Sequence, residues 1–118
     1  MAPALSPSAR RAVAAPVDPA ARLIADIRNH DRQALRALYD LKAPCLLALL
    51  LRAVPVQAQA EDVLADVFVA IWRQARSFDM ARDDAGVWLF AVLRTTAIEA
   101  LGCAGAAPLL AGRQPAVA

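Results

Sequence analysis

The chain has 118 residues, of which 59% are apolar and 20% charged, a composition that suits one small domain and excludes two. Alanine makes up about a quarter of the residues and β-branched residues are few, so helices are favoured over an all-β fold. The formal net charge is +2, but residues 18–101 carry ten basic and eleven acidic side chains, a net charge of −1. This domain therefore lacks the clustered cationic surface that unaided binding of duplex DNA requires.

The two ends of the chain differ in composition from its middle. Residues 1–17 are mostly Ala, Pro and Ser, and residues 102–118 are mostly Ala, Gly, Pro and Leu without a helical period. Such compositions bury too little apolar surface to offset the entropy of ordering. Both ends are therefore predicted to be disordered tails on either side of a domain formed by residues 18–101.

Two helices are predicted in the first half of this domain. Asp18 followed by Pro19 is typical of an N-cap with proline in the first turn, and the helix that begins there ends near His30, which is predicted to lie in a turn. Asp31 caps a second helix that reaches about residue 53. Pro44 lies inside this helix and predicts a bend there, or two abutting helices.

The third helix, over about residues 57–77, has the clearest pattern in the sequence. Its apolar residues recur at helical spacing and form one broad face: Val63, Leu64, Val67, Phe68, Ile71, Trp72 and Ala75. The opposite face carries Asp62, Asp66 and Arg73. A polar loop is predicted over residues 77–84, and Asp83 or Asp84 in this loop caps the next helix. The last helix is predicted over residues 87–101 and ends at Gly102. The fold class is all-α, a compact bundle of about four helices.

Three stretches in this order carry a family resemblance: "DRQALRALYDLKAPCLLAL" (31–49), "AEDVLADVFVAIWRQARSFD" (60–79) and "WLFAVLRTTAIEAL" (88–101). Each stretch alone is a common helical pattern, but the three together have the spacing of one family. They resemble region 2 of the sigma-70 family of RNA polymerase sigma factors, of the extracytoplasmic-function (ECF) type. The resemblance covers about 80 residues and implies a role in transcription initiation.

The resemblance implies a polymerase-binding surface on the third helix, which in this family docks on a basic coiled coil of the polymerase clamp. Here that surface would consist of Asp62, Asp66, Val69 and Arg73, with the carboxylates pairing with basic residues of the partner around an exposed valine. The alternative is that both aspartates are solvated acids near the N-terminal end of the helix dipole, where negative charge is favourable.

The resemblance also implies contact with promoter DNA, because the following loop and the last helix capture the non-template strand of the −10 element in this family. A base must leave the stack for this to happen, at a cost of a few kcal/mol that protein contacts must supply. The candidate DNA-binding residues are Phe78, Asp79, Arg82, Trp88, Thr95 and Thr96. For the two aromatic residues, packing within the bundle remains the alternative.

The sequence departs from the family pattern mainly where nucleic acid would bind. Family members usually have a run of arginines after the last helix, whereas residues 100–104 here are Ala, Leu, Gly, Cys and Ala. Ala65 stands where a glutamine is common, and the helix-turn-helix domain that reads the −35 element is absent from these 118 residues. DNA contact is therefore expected to be weak, and the chain is expected to be a truncated or degenerate factor.

The sequence predicts neither catalysis nor a cofactor or metal site. Cys45, Cys103 and His30 have no partners at ligand spacing, and the four glycines match no phosphate-binding loop. The longest apolar run, residues 43–51, is about half the length of a membrane-spanning helix. A cytoplasmic protein without membrane contact is expected.

Three functions are compatible with these observations. The first is a sigma region 2 that binds the polymerase clamp and weakly contacts −10 DNA. The second is a sigma mimic that binds an anti-sigma factor or polymerase as a regulator, without promoter binding. The third is an unrelated four-helix interaction module. Binding to polymerase or to an anti-sigma factor separates the first two from the third, and binding to −10 single strands separates the first from the second.

Overall fold

The computed structural model describes residues 18–110. In this range the chain forms helices connected by turns and loops: α1 (Pro19–Ile27), α2 (Arg32–Leu51), α3 (Gln57–Gln74), a 3-10 turn (Ala75–Ser77), α4 (Ala85–Gly105) and α5 (Ala107–Leu110). Each long helix packs against the next one along the chain, and α1 also contacts α4 and the 3-10 turn. The predicted all-α bundle is confirmed. The predictions for residues 1–17 and 111–118 lie outside the described residues.

Aspartate side chains begin three of the four longer helices. Asp18, Asp31 and Asp84 each accept hydrogen bonds of 2.9 to 3.1 Å from backbone N–H groups in the first turn of α1, α2 and α4. These bonds satisfy donors that have no partner within the helix. Helix α3 differs, because its N-cap residue is Val56, which has no side-chain acceptor. The predicted caps at Asp18 and Asp31 are confirmed, and Asp84 is the cap of α4.

The two special positions in the first half of the domain behave differently. His30 has a φ of 63°, the left-handed conformation, and lies in the turn after α1 as predicted. Helix α2 continues through Pro44 over its whole length, which excludes two abutting helices. Pro44 removes the hydrogen bond to the carbonyl of Asp40. Because both residues are exposed, water can take the place of the missing donor.

The core is formed by the apolar faces of all four long helices. On α3 the predicted apolar face is buried except for Trp72, which is half-buried, and Val67 and Ile71 are completely inaccessible to solvent. Phe78, which follows the 3-10 turn, is the largest fully buried side chain of the described residues. Since α3 packs on both α2 and α4, burial of this one face fixes which side of α3 remains exposed.

The end of the domain lies later in the chain than the sequence predicted. Gly102 has a φ of 79° and interrupts the helical dihedrals of α4, but helical turns continue to Gly105 and through α5. Ala106 is completely buried and Leu109 is 4% exposed, so this segment packs on the core. The boundary at residue 101 is therefore corrected: residues 103–110 belong to the folded domain, because two apolar side chains three positions apart fall on one face.

Helix α4 is long and apolar enough to cross a membrane by the criteria of length and composition. In the bundle, however, five of its side chains lie in the core shared with the other helices: Ala85, Leu89, Val92, Leu93 and Ala97. The apolar character of α4 is therefore used in packing within the domain.

We predict that Leu109→Ala lowers the free energy of unfolding by about 2 to 3 kcal/mol, because it leaves a cavity under α5. The measurement is urea denaturation followed by far-UV circular dichroism. The matched control is Leu41→Ala, the same change at a leucine that is 46% exposed, with an expected effect within about 0.5 kcal/mol. Equal stability of the Leu109→Ala variant and the wild type would contradict the packing of α5.

Candidate functional site

One side of α3 presents all four residues predicted to bind polymerase. Asp62, Asp66, Val69 and Arg73 follow each other at spacings of four, three and four, which places them on one stripe of a helix with 3.6 residues per turn. All four are exposed, and Val69 is exposed to 48%. We call these four residues the α3 stripe.

The charges of the α3 stripe are not used inside the domain. Within residues 18–110, the ion pairs are Arg36 with Asp40 and Arg82 with Asp83, and neither Asp62 nor Asp66 makes a side-chain hydrogen bond. Both carboxylates are therefore free to accept charge-assisted hydrogen bonds from a partner. The exposed valine between them and Arg73 offers an apolar contact that would become buried in a complex.

A cleft of about 340 Å³ lies between α3 and α4, next to the α3 stripe. Asp66, Val69 and Arg73 line it from α3, and Thr96 and Glu99 line it from α4. Thr96 is 6% exposed, whereas its neighbour Thr95 is exposed. The prediction that both threonines face DNA on one side of α4 is therefore corrected, because consecutive helical residues point about 100° apart. Thr95 remains exposed and Thr96 faces the cleft.

The loop between the 3-10 turn and α4 is closed by two aspartates. The backbone N–H of Asp79 donates to Oδ2 of Asp83 at 2.8 Å, and the carbonyl of Asp79 accepts from the N–H groups of Arg82 and Asp83 at 3.0 and 2.7 Å. Oδ1 of Asp79 accepts from the N–H of Ala81 at 2.9 Å. The carboxylate of Asp79 thus shapes the loop, and the side chains of Met80 and Arg82 point into solvent.

The hydrogen bond from the Asp79 N–H holds the pKa of Asp83 below its ordinary value. Partial desolvation opposes this shift, and the neighbouring Arg82 reinforces it through a hydrogen bond of 3.3 Å from its Nε and through its charge. Asp83 is therefore a negatively charged member of the loop at neutral pH, and the charge of Arg82 is partly balanced.

The two aromatic residues near this loop have structural roles. Phe78 is completely buried and its ring lies edge-on to Trp88, with 5.5 Å between the ring centroids. The prediction that Phe78 contacts DNA is therefore corrected, since the buried ring has no accessible surface on which a base could stack. Trp88 is half-buried, and its Nε1–H donates to Oγ of Ser77 at 3.1 Å.

Sequence reasoning missed the contribution of Arg28. Its Nη1 donates a hydrogen bond of 3.2 Å to the backbone carbonyl of Phe78, which is 50 residues away along the chain. This bond ties the end of α1 to the start of the loop. No local pattern could have indicated the contact, because it depends on how α1 packs against the 3-10 turn.

Residues expected to be chemically inert have simple surroundings. Cys45 and Cys103 are both free and exposed, so neither serves as a small core side chain. The His30 ring lies 5.8 Å from that of Trp72. Within residues 18–110 no group of three or more His, Cys, Asp or Glu side chains is arranged to hold a metal ion.

The family model described as sigma-70 region 2 matches residues 38–106, more than half of the chain. The chain therefore belongs to the sigma-70 region 2 family, which confirms the predicted resemblance and excludes an unrelated helical module. The match runs from within α2 to the end of α4 and so contains the α3 stripe, the cleft and the loop.

Curated relatives of the chain carry the name ECF RNA polymerase sigma factor SigK. Those of Mycobacterium tuberculosis (strain ATCC 25618 / H37Rv) and Mycobacterium bovis (strain ATCC BAA-935 / AF2122/97) are each 25% identical to it over 81 residues, which is 69% of this chain. The chain spans 43% of the length of each of these relatives. No solved structure matches significantly.

We predict that Asp83→Asn lowers stability at neutral pH and that this effect fades in acid. Because the pKa of Asp83 is depressed in the folded state, its charged form stabilises the fold above the unfolded-state pKa of about 4, and this stabilisation is lost as the pH falls through the folded-state pKa. Urea denaturation at a series of pH values from 6 downwards measures the difference between variant and wild type. The control is Asp40→Asn, in an exposed ion pair, where a small difference is expected throughout. A difference for Asp83→Asn that does not change with pH would contradict the assignment.

Proposed function

We propose that this domain binds the clamp coiled coil of core RNA polymerase through the α3 stripe, and that it acts in transcription initiation in the cytoplasm. The observation that carries the proposal is that the carboxylates of Asp62 and Asp66 are accessible to a partner. Both carboxylates are exposed on one side of α3 and have no ion-pair partner within residues 18–110. Membership of the sigma-70 region 2 family supports the same function.

The physical basis of this binding is electrostatic complementarity around a small apolar contact. Complementary charges raise the rate of association and fix the relative orientation of the two partners. Val69 lies one turn beyond Asp66 and would be covered in the complex, which adds a desolvated centre to the charged contacts. The short-range contacts then slow dissociation, and the charges mainly set the association rate and its dependence on salt.

We predict that reversing both charges, Asp62→Arg with Asp66→Arg, abolishes capture of core polymerase. Truncating one partner of a buried charged pair costs about 2 to 5 kcal/mol, and charge reversal adds repulsion. The measurement is a pull-down of purified core polymerase by the full chain, with far-UV circular dichroism to verify that helicity is intact.

The matched control for charge reversal is Glu61→Arg. Glu61 is exposed on the same helix, but it lies on the side of α3 that faces α2, and its carboxylate accepts a hydrogen bond within α3 from Gln57 Nε2 at 2.9 Å. We expect this variant to capture polymerase as the wild type does. Equal capture by the double charge-reversal variant and the wild type would refute the docking assignment.

We also propose weak contact of the loop and of α4 with the non-template strand of the −10 element. The support comes from exposed groups: the Arg82 side chain is 71% exposed, Thr95 is exposed and Trp88 is half-buried. Arg82 would contact a phosphate, and Asp79 would act by holding the loop in shape. The absence of an arginine run over residues 100–104 keeps the number of phosphate contacts small.

We predict that Arg82→Ala weakens binding to a single-stranded −10 oligonucleotide and lowers the slope of log affinity against log salt by about 0.7, the value for one phosphate contact on a single strand. Fluorescence anisotropy over a range of salt concentrations measures both quantities. The control is Arg52→Ala, since Arg52 precedes α3 and the loop follows it, so the 18 residues of this helix lie between them. An unchanged slope for Arg82→Ala would contradict the phosphate contact.

A second function is favoured by one observation. Of the six residues predicted to contact DNA, Phe78 and Thr96 are buried, which leaves few side chains for promoter recognition. A regulator that binds polymerase or an anti-sigma factor without binding promoter DNA would need only the α3 stripe. The anisotropy measurement separates the two functions: sequence-selective binding to −10 single strands excludes the regulator, and its absence together with polymerase capture supports it.

A further inference from the structure

We propose that the cleft between α3 and α4 receives an arginine or lysine side chain of the same protein partner that binds the α3 stripe. This inference rests on the proposed function and deepens it. It adds Glu99 and Thr96, both on α4, to the polymerase-binding surface. Thr96 is thereby moved from the DNA-binding residues to the protein-binding ones.

Two carboxylates from different helices line the cleft. Asp66 and Glu99 line the same cleft from opposite helices, and both are exposed residues. Neither carboxylate forms an ion pair within residues 18–110, although Arg73 lines the same cleft. The volume of about 340 Å³ is large enough for the end of a long side chain.

The hydroxyl of Thr96 also favours a hydrogen-bonding occupant of the cleft. The residue is 6% exposed and lines the cleft, and its side chain makes no hydrogen bond within the described residues. A threonine in a helix commonly bonds to the carbonyl three or four residues earlier, and Thr96 does not. Since no side-chain oxygen or nitrogen of the described residues is both fully inaccessible and unsatisfied, this hydroxyl keeps some access to solvent, and the cleft is a solvent-filled space that Thr96 lines. A donor that enters the cleft would give it a partner.

The charges of the cleft select a cationic occupant from a protein. Two carboxylates and one guanidinium give the lining a net negative charge, which repels the phosphates of nucleic acid and attracts a basic side chain. A guanidinium has several N–H donors, so it can bond to both carboxylates and to the hydroxyl at once. Arg73 also lines the cleft and forms no ion pair within residues 18–110, so it is available to an acidic residue on the partner.

The cleft is continuous with the α3 stripe, which argues for a single partner. Asp66, Val69 and Arg73 belong to both surfaces. A helix that contacts the stripe would therefore place neighbouring side chains over the cleft. Binding would then hold α4 as well as α3, and α4 carries Trp88 and Thr95 of the proposed DNA surface.

The experiment measures the affinity of the full chain for purified core polymerase. The polymerase is immobilised on a surface, and the wild type and four conservative variants are each titrated over it. Thr96→Val removes the hydroxyl at nearly constant volume, and its control is Val87→Thr, the reverse change at an exposed position of the same helix. Glu99→Gln removes the charge, and its control is Glu61→Gln on the α2 side of α3. We expect Thr96→Val and Glu99→Gln each to weaken binding by about tenfold, because each removes a hydrogen bond to a charged group. Both controls should bind as the wild type does.

Thr96→Ser distinguishes loss of the hydroxyl from altered packing. It keeps the hydroxyl while losing a methyl group, so it should retain most of the affinity, with thermal unfolding measured for every variant. Wild-type affinity of both Thr96→Val and Glu99→Gln would overturn the inference. So would a loss for Thr96→Val that appears in DNA binding and not in polymerase binding.

The inclusion of Asp62→Arg separates this inference from the function on which it rests. If Asp62→Arg loses affinity while the cleft variants do not, the stripe binds polymerase and the cleft assignment is wrong. If Asp62→Arg binds as the wild type does, the proposed function itself fails.

Discussion

Burial of the apolar face of α3 is the constraint on which the other features of the domain depend. This helix lies between α2 and α4, and its buried side chains are part of the core shared with both. Once this face is inside, the rotation of α3 about its axis is fixed, and Asp62, Asp66, Val69 and Arg73 must face outward. The exposure of the α3 stripe is thus a geometric consequence of the core, and a substitution that rotated α3 would move the whole stripe.

The loop before α4 illustrates a second way of positioning functional groups. Three features hold the loop in its conformation: backbone hydrogen bonds to the side chains of Asp79 and Asp83, the buried ring of Phe78 beneath it, and the hydrogen bond from Arg28 to the Phe78 carbonyl. The loop is therefore held from within and from α1 at the same time. Its exposed side chains are presented on a fixed backbone, which lowers the entropic cost of binding.

Much of the fold could be predicted from sequence, because helix capping, turn conformation and helical periodicity depend on residues that are close together along the chain. The caps at Asp18 and Asp31, the turn at His30 and the apolar face of α3 follow from local chemistry and helical spacing. The extent of α4 could not be predicted, because a glycine such as Gly102 is typical of the end of a helix. The burial of Ala106 and Leu109 depends on their packing against the core, which the local sequence does not indicate. The bond from Arg28 likewise requires knowledge of tertiary packing.

In the candidate site, too, sequence predicted the features that depend on local pattern and missed some that depend on tertiary packing. The apolar face of α3 could be recognised from sequence, and the α3 stripe lies on the opposite side of the helix. All four residues of the stripe could therefore be predicted to be exposed. On α4 and in the loop, the question was which of several neighbouring side chains face solvent. Adjacent residues such as Thr95 and Thr96 have different surroundings, and a small error in helix rotation exchanges them. Phe78 was misplaced for a related reason, since an aromatic side chain suits both a core and a base-stacking surface.

The absence of a side-chain cap on α3 also affects how the domain can move. Val56 has no acceptor group to offer the first turn, and it is 60% exposed, so the N-terminal turn of α3 is where the helix frays most easily. The α3 stripe begins at Asp62, more than one turn further along, and its later members follow side chains buried between α2 and α4. The stripe therefore lies on the part of α3 that the core holds in place, beyond the one turn that has no side-chain cap.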